Sequence, residues 1–132
     1  MKKYFFSLAF LLMSGLVWAD DVTVNSAEDW QTVCANAETY AAGTITLGTD
    51  FEVTTAFPAP FSGTLDGQGH TVTYNLTNPG KFALISSTGD GAVIRNLHVA
   101  GTIEATTGVA GVVYTVNGST TIQGVKVSAD IT

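Results

Sequence analysis

Residues 82–103 align without a gap on residues 110–131, an offset of 28. Leu84 falls over Val112, Ile85 over Val113, Ile94 over Ile122, Leu97 over Val125, Val99 over Val127 and Ile103 over Ile131. Turn-forming Gly89-Asp90-Gly91 lies over Asn117-Gly118-Ser119. Polar residues stand over polar ones, Arg95 over Gln123 and His98 over Lys126. Apolar positions recur, while the residues between them change freely within the polar class. A stacked solenoid produces this pattern, because each coil sends the same positions into a shared core. The period is too short for a propeller blade and lacks the pattern of helix-pair repeats. The expected fold is therefore all-β, a right-handed parallel β-helix of about four coils. An antiparallel β-sandwich is the alternative, since alternation of apolar and polar residues suits both.

The rest of the chain agrees with strands. From Asp20 onward there are 20 Thr, 13 Val and 6 Ile, about a third of that stretch, and these β-branched residues pack well on a pleated surface. Thirteen Gly at short intervals mark frequent turns. The runs expected as strands are 22–24, 44–47, 51–54, 63–65, 71–76, 82–85, 93–99, 102–104, 109–114, 121–127 and 130–131, with Pro58, Pro60 and Pro79 between runs. One segment differs. Trp30, Val33, Cys34, Ala37 and Ala41 share one helical stripe, with Ser26 as N-cap, Asp29 near the N-terminus and Gly43 as terminator. This predicts a single amphipathic helix over residues 26–41, capping the N-terminal end of the solenoid.

Residues 1–19 read as an export signal. Met1-Lys2-Lys3 is a short positive start, Tyr4 to Val17 is uncharged and mostly apolar, and Val17-Trp18-Ala19 offers a small residue before Asp20. The apolar run falls short of the ~20 residues that a spanning helix needs. The expected organisation is a signal at 1–19, an N-terminal strand and capping helix at 20–43, and β-helix coils at 44–132, incomplete at the C-terminal end. The expected address is outside the cell, secreted or on its surface.

Composition then removes whole classes of activity. The chain has 5 Lys and Arg against 11 Asp and Glu. Lys2 and Lys3 lie in the signal, so Lys81, Arg95 and Lys126 alone remain to meet phosphate, and nucleic acid is not an expected partner. One Cys and two His are too few for a disulfide framework or most metal cages.

Phe61-Ser62-Gly63-Thr64-Leu65-Asp66-Gly67-Gln68-Gly69-His70-Thr71-Val72 resembles the FsGtfDGnGHtI stretch of bacterial secreted β-helix proteins, where it precedes repeats of the GLUG type. Ala92-Val93-Ile94-Arg95-Asn96-Leu97-His98-Val99-Ala100-Gly101 resembles the a-x-I-x-N-L-x-v-x-G rung that follows. Ala110-Gly111-Val112-Val113 is similar to the apolar opening of the next repeat. The likeness covers residues 44–131 and implies an adhesin-like surface protein without catalytic residues. Ala83-Leu84-Ile85-Ser86 and Gly111-Val112-Val113-Tyr114 depart from the usual Gly-Leu-apolar-Gly core, and Gly124 stands where the rung Asn is expected.

No catalytic, cofactor-binding or metal-ligating residue is expected. Asp66, Gln68 and His70 form the densest polar cluster. The plainer reading is a tight turn, with Gly67 and Gly69 supplying unusual φ and Asp66 bonding nearby backbone N–H groups. Asp50, Glu52, Asp66, Asp90, Glu104 and Asp130 contain no recognisable glycosidase pair. Arg95 is expected to face outward, since its repeat partner is Gln123, and His98 to face solvent, as Lys126 does. Cys34 reads as a small buried hydrophobe and Trp30 as a core anchor. No Ser-His-Asp arrangement is readable around His70 or His98.

The functional expectation is a non-enzymatic secreted or cell-surface module for adhesion or scaffolding, with a glycan or a surface protein as partner. The alternative is the N-terminal part of a polysaccharide-active β-helix lyase or hydrolase. A small periplasmic protein without a ligand is a third reading. No membrane span is expected. Val125, Val127 and Ile131 would lie uncovered at the last rung, so further β-helix coils or self-association are expected there.

Overall fold

The computed structural model describes residues 20–132, and the expected export signal lies outside them. Among these residues every strand pairing is parallel, which an antiparallel sandwich does not allow. The chain opens with β1 (Val22–Val24), α1 (Ala27–Ala35) and α2 (Ala37–Tyr40). It continues with β2 (Thr44–Leu47), β3 (Phe51–Val53), β4 (Phe57–Phe61), β5 (Thr64–Asp66), β6 (Thr71–Thr77) and β7 (Ile85–Thr88). It ends with β8 (Ala92–Glu104), β9 (Val113–Val116), β10 (Thr120–Val127) and β11 (Asp130–Ile131).

These strands form a curled parallel sheet and a smaller one. The smaller sheet runs β4-β7-β9. In the larger one, the first part of the long strand β8 pairs with β5 and its second part with β6. Strands β10 and β11 then pair along the opposite edge of β8. The register of β8 with β10 and β11 is an offset of 28 throughout, and β7 pairs with β9 at the same offset. Phe82 departs from it, bridging to Val109 rather than Ala110.

Stacking in register builds the core as columns. Ile45, Leu65 and Ile94 are successive partners and all are fully buried, as are Val72 with Val99. Each such aliphatic side chain contributes about 1.5–3 kcal/mol on burial. Aromatic rings fill the wider space at one end, where Trp30 lies 6.2 Å from Phe51 and 6.4 Å from Phe57. Phe57 in turn meets Phe61 edge-on at 5.4 Å. Tyr74 and Phe82 make a second edge-on pair at 5.4 Å, and the Tyr74 hydroxyl donates to the Gly111 carbonyl.

The single expected helix is two. Ser26 caps α1 by accepting from the Asp29 N–H at 3.0 Å, while Asp29 Oδ2 accepts from the Asn25 N–H at 2.9 Å, a reciprocal cap. The helix stops at Asn36, whose φ of −117° and ψ of 38° leave the helical region. The amide side chain of Asn36 donates to the Thr32 carbonyl, drawing off one of the last acceptors of the turn. The apolar stripe still faces inward, with Trp30, Val33, Cys34 and Ala37 buried. Trp30 Nε1 donates to the Thr55 carbonyl at 2.7 Å, so the helix is tied to the loop between β3 and β4.

Strand β4 was not expected, because Pro58 and Pro60 stand inside it. It is the edge strand of the smaller sheet. Phe57 N–H donates to the Leu84 carbonyl, and Phe61 accepts from the Gly89 N–H. Both prolines are exposed, so their missing donors fall where an edge strand tolerates them. The expected strands at 93–99 and 102–104 are one strand, β8. The runs at 82–85 and 109–114 become β7 and β9, which begin three or four residues later.

Candidate functional site

The outward positions of the larger sheet stack as regularly as the inward ones. Thr46, Asp66, Arg95 and Gln123 are successive register partners and form one polar column. Thr71, His98 and Lys126 form a second. Asp50 extends it, accepting from the Thr71 N–H at 2.9 Å. The two columns run up either side of a corner made by Gly67–His70 on one rung, Asn96–Leu97 on the next and Gly124–Val125 on the last.

The corner is uneven, and the unevenness is a matter of chain length. Before it, β5 pairs with β8 at an offset of 29; beyond it, β6 pairs with β8 at 27. The rung of Asp66 therefore spends two more residues on its corner than the rungs above. The extra length bulges outward as Gln68 and Gly69, leaving an open groove of about 460 Å³ over the shorter corners. Its walls are Gln68, Gly69, Asn96, Leu97, His98, Gly124 and Lys126.

Asp66 holds this corner together. Only 6% exposed, its carboxylate accepts from the Gln68 N–H at 3.0 Å and from the Gln68 amide at 3.1 Å. It also accepts from Arg95 Nε at 3.1 Å and from the Asn96 amide at 3.4 Å. The backbone donation of Gln68 is the main cause that holds the Asp66 carboxyl below the ordinary carboxylate range; Arg95 and Asn96 act in the same direction against the opposing effect of burial. The turn reading of Asp66 thus describes its contacts. The expected reason for Gly67 does not hold, because Gln68 and Gly69, not Gly67, have positive φ. Gly67 is required by close approach instead: a Cβ there would lie 2.4 Å from the Asn96 carbonyl oxygen.

The sequence cluster Asp66, Gln68 and His70 is divided by the fold. Gln68 stays with Asp66, whereas His70 turns to the preceding rung, where its Nδ1 donates to Asp50 Oδ1 at 3.0 Å. The Thr71 N–H first, then His70, hold the Asp50 carboxyl below its ordinary range. Arg95 does face outward, yet its guanidinium is engaged by Asp66. His98 faces outward and is half-buried. Its Nδ1 lies 3.2 Å from Thr71 Oγ1 and its Nε2 lies 2.8 Å from Ser128 Oγ, so hydroxyls fix both ring nitrogens. Asp90 serves a separate turn, accepting from the Ser119 N–H at 2.8 Å.

Cys34 is buried on the inner face of α1 with its Sγ 4.0 Å from the Thr55 carbonyl, and desolvation pushes its thiol up to about 12. Among the described residues, no group of three His, Cys, Asp or Glu is placed to hold a metal ion. No helix among them is long and apolar enough to cross a membrane.

The groove escaped sequence reasoning for a definable reason. An ungapped comparison aligns the two upper rungs, but Thr71 meets His98 only after two residues are skipped at the corner. The signal available was the longer Asp66-to-Thr71 spacing set against Arg95-to-His98. No protein-family model, curated protein or solved structure matches the chain.

Proposed function

We propose that the chain is a non-enzymatic adhesion or scaffold module outside the cell, exported with residues 1–19 as a cleaved signal. The winding proposed is a right-handed parallel β-helix, because connections between parallel strands of one sheet take that hand almost without exception. The observation that carries the functional reading is the pair of outward polar columns, Thr46–Asp66–Arg95–Gln123 and Thr71–His98–Lys126. Side chains held at rung spacing, about 4.8 Å apart, offer repeated donors and acceptors to a partner. Several are fixed by hydrogen bonds within the column, so less rotamer freedom is lost on contact. The likeness of residues 61–72 and 92–101 to secreted GLUG-type proteins supports the same reading.

The test is retention of the secreted protein on immobilised glycans and on cell-envelope fractions, with its intact mass measured beforehand. Binding to either surface by material beginning at Asp20 is expected. Failure to bind any saccharide or envelope fraction would overturn the adhesion reading, and secreted material that still begins at Met1 would overturn the cleaved signal.

A further inference from the structure

We infer that the corner groove is a binding site for an acidic, carboxylate-bearing carbohydrate, an assignment that rests on the adhesion reading above. Residues 20–132 carry 11 Asp and Glu but only Lys81, Arg95 and Lys126 as fixed cations. Arg95 and Lys126 stand in the two columns that border the groove, whereas Lys81 lies elsewhere, its Nζ 4.8 Å from the centroid of the Tyr114 ring.

The acids near the groove are already engaged. Asp66 takes Arg95 and Asp50 takes His70. Lys126, the register partner of His98, is exposed and makes no ion pair among the described residues. At physiological ionic strength the Debye length is about 8 Å, so the distant acids of the chain are screened while Lys126 acts locally. An anionic group can therefore approach this corner, although the chain as a whole repels anions.

The neighbours of that charge select the ligand class. Gln68 and Asn96 present amides, groups that serve hydroxyls as donor and acceptor alike. The groove is open and spans three rungs, about 10 Å along the stack. An extended polymer suits it better than a small anion, which would need an enclosed cradle. Hydroxyls together with a carboxylate on an extended chain describe an acidic saccharide.

The experiment measures binding of the secreted protein to a uronic-acid hexasaccharide, to the same hexasaccharide with its carboxyl groups reduced to alcohols, and to a poly-glutamate peptide. The expected order is acidic saccharide tightest, with both others weaker. Lys126→Glu should lower affinity for the acidic saccharide about tenfold, since it replaces one attraction with a repulsion. Lys81→Glu makes the same change in net charge away from the groove and should leave affinity within about twofold. Thermal melting of both variants checks that they remain folded. Equal binding of the two hexasaccharides, equal loss in the two variants, or poly-glutamate binding as tightly as the saccharide would each overturn the inference. In the first case the adhesion reading stands, because a neutral glycan is still bound. Retention on envelope fractions without binding to the acidic hexasaccharide would likewise overturn this assignment and leave the module's adhesive role in place.

Discussion

Ile94 and Ile122 are register partners on adjacent strands, yet Ile94 is fully buried and Ile122 is 47% exposed. The same step separates Val99 from Val127, at 49%, and Ile103 from Ile131, at 47%. Inward columns that are closed beneath by Trp30 and the helix run out uncovered at β10 and β11. Among the described residues, no strand pairs with the outer edge of either. Unpaired parallel edges beside apolar side chains recruit further strands. Residues 20–132 should therefore self-associate, and Val127→Lys together with Ile131→Lys should suppress it. Light scattering across a concentration series checks this; a monodisperse species at about 100 µM would mean that the edge is blocked.

Trp30 seals the opposite end. Its ring is 1% exposed, and its Nε1–H is satisfied by the Thr55 carbonyl. Trp30→Ala should cost about 3–5 kcal/mol. Trp30→Phe keeps most of the apolar contact but leaves that carbonyl only the weak Cys34 S–H as donor, and should cost about 1–3 kcal/mol. Urea unfolding followed by circular dichroism reads both. A loss under about 0.5 kcal/mol for Trp30→Ala would show that the ring covers no core.

The elements legible in the sequence were those written in periodicity. The stripe from Trp30 to Ala41, its cap at Ser26, and the strands at 44–47 and 130–131 follow from local pattern. The pairing of Ile94 with Ile122 sits at the same offset of 28 that the sequence shows. What was illegible depends on long-range geometry. Pro58 and Pro60 argue locally against a strand, and only the edge position of β4 makes them acceptable. His70 lies two residues from Gln68 in sequence, but the corner turns its side chain to Asp50. The groove arises from two surplus corner residues, which no position reveals when read by itself.

Cys34 provides a reporter of the helix cap. Burial pushes its thiol up to about 12, so little thiolate is present near neutrality. A thiol reagent at pH 8 should react only when α1 lifts from the sheet, and the rate should rise in step with urea-induced unfolding. Trp30→Ala should accelerate labelling in native buffer. Immediate stoichiometric labelling of the folded wild type would place the thiol at the surface instead.

Acid should loosen the corner in a definite direction. Asp66 and Asp50 are both held below their ordinary range, first by the Gln68 N–H and the Thr71 N–H respectively. A carboxyl depressed in the folded state contributes stability that is fully present above the unfolded value, about 3.9. That contribution is lost as pH falls through the lower folded value. Stability should thus change little on these two groups' account between pH 7 and about 5, then fall below about 4. Asp66→Ala should cost about 1.5–3 kcal/mol at pH 7, because the Arg95 and Gln68 donors lose a charged acceptor. It should also flatten the acid limb of the stability curve. An unchanged acid limb in that variant would show that Asp66 contributes nothing to the acid loss.

Asn96 is flanked on adjacent rungs by two glycines that should respond oppositely to substitution. Gly67 has ordinary φ, but a Cβ there would meet the Asn96 carbonyl oxygen at 2.4 Å and the Leu97 Cα at 2.8 Å. Both obstacles are backbone and cannot turn aside. Gly67→Ala should force the two rungs apart and cost upward of about 2 kcal/mol. Gly124 presents the reverse case. Its φ of +63° matches the +55° of Asn96 beneath it, and a Cβ would lie 3.1 Å from Asn96 Oδ1, the movable end of a side chain. Asn tolerates this left-handed region better than any residue but Gly. Gly124→Asn should therefore stay within about 1 kcal/mol of wild type, the strain partly offset by the lower entropy of the unfolded chain. Gly124→Val, β-branched at the same φ, should lose about 2 kcal/mol or more. Urea midpoints for the three variants provide the comparison. A Gly124→Asn variant as unstable as Gly124→Val would mean that contact at this corner, rather than φ, decides which residue it accepts.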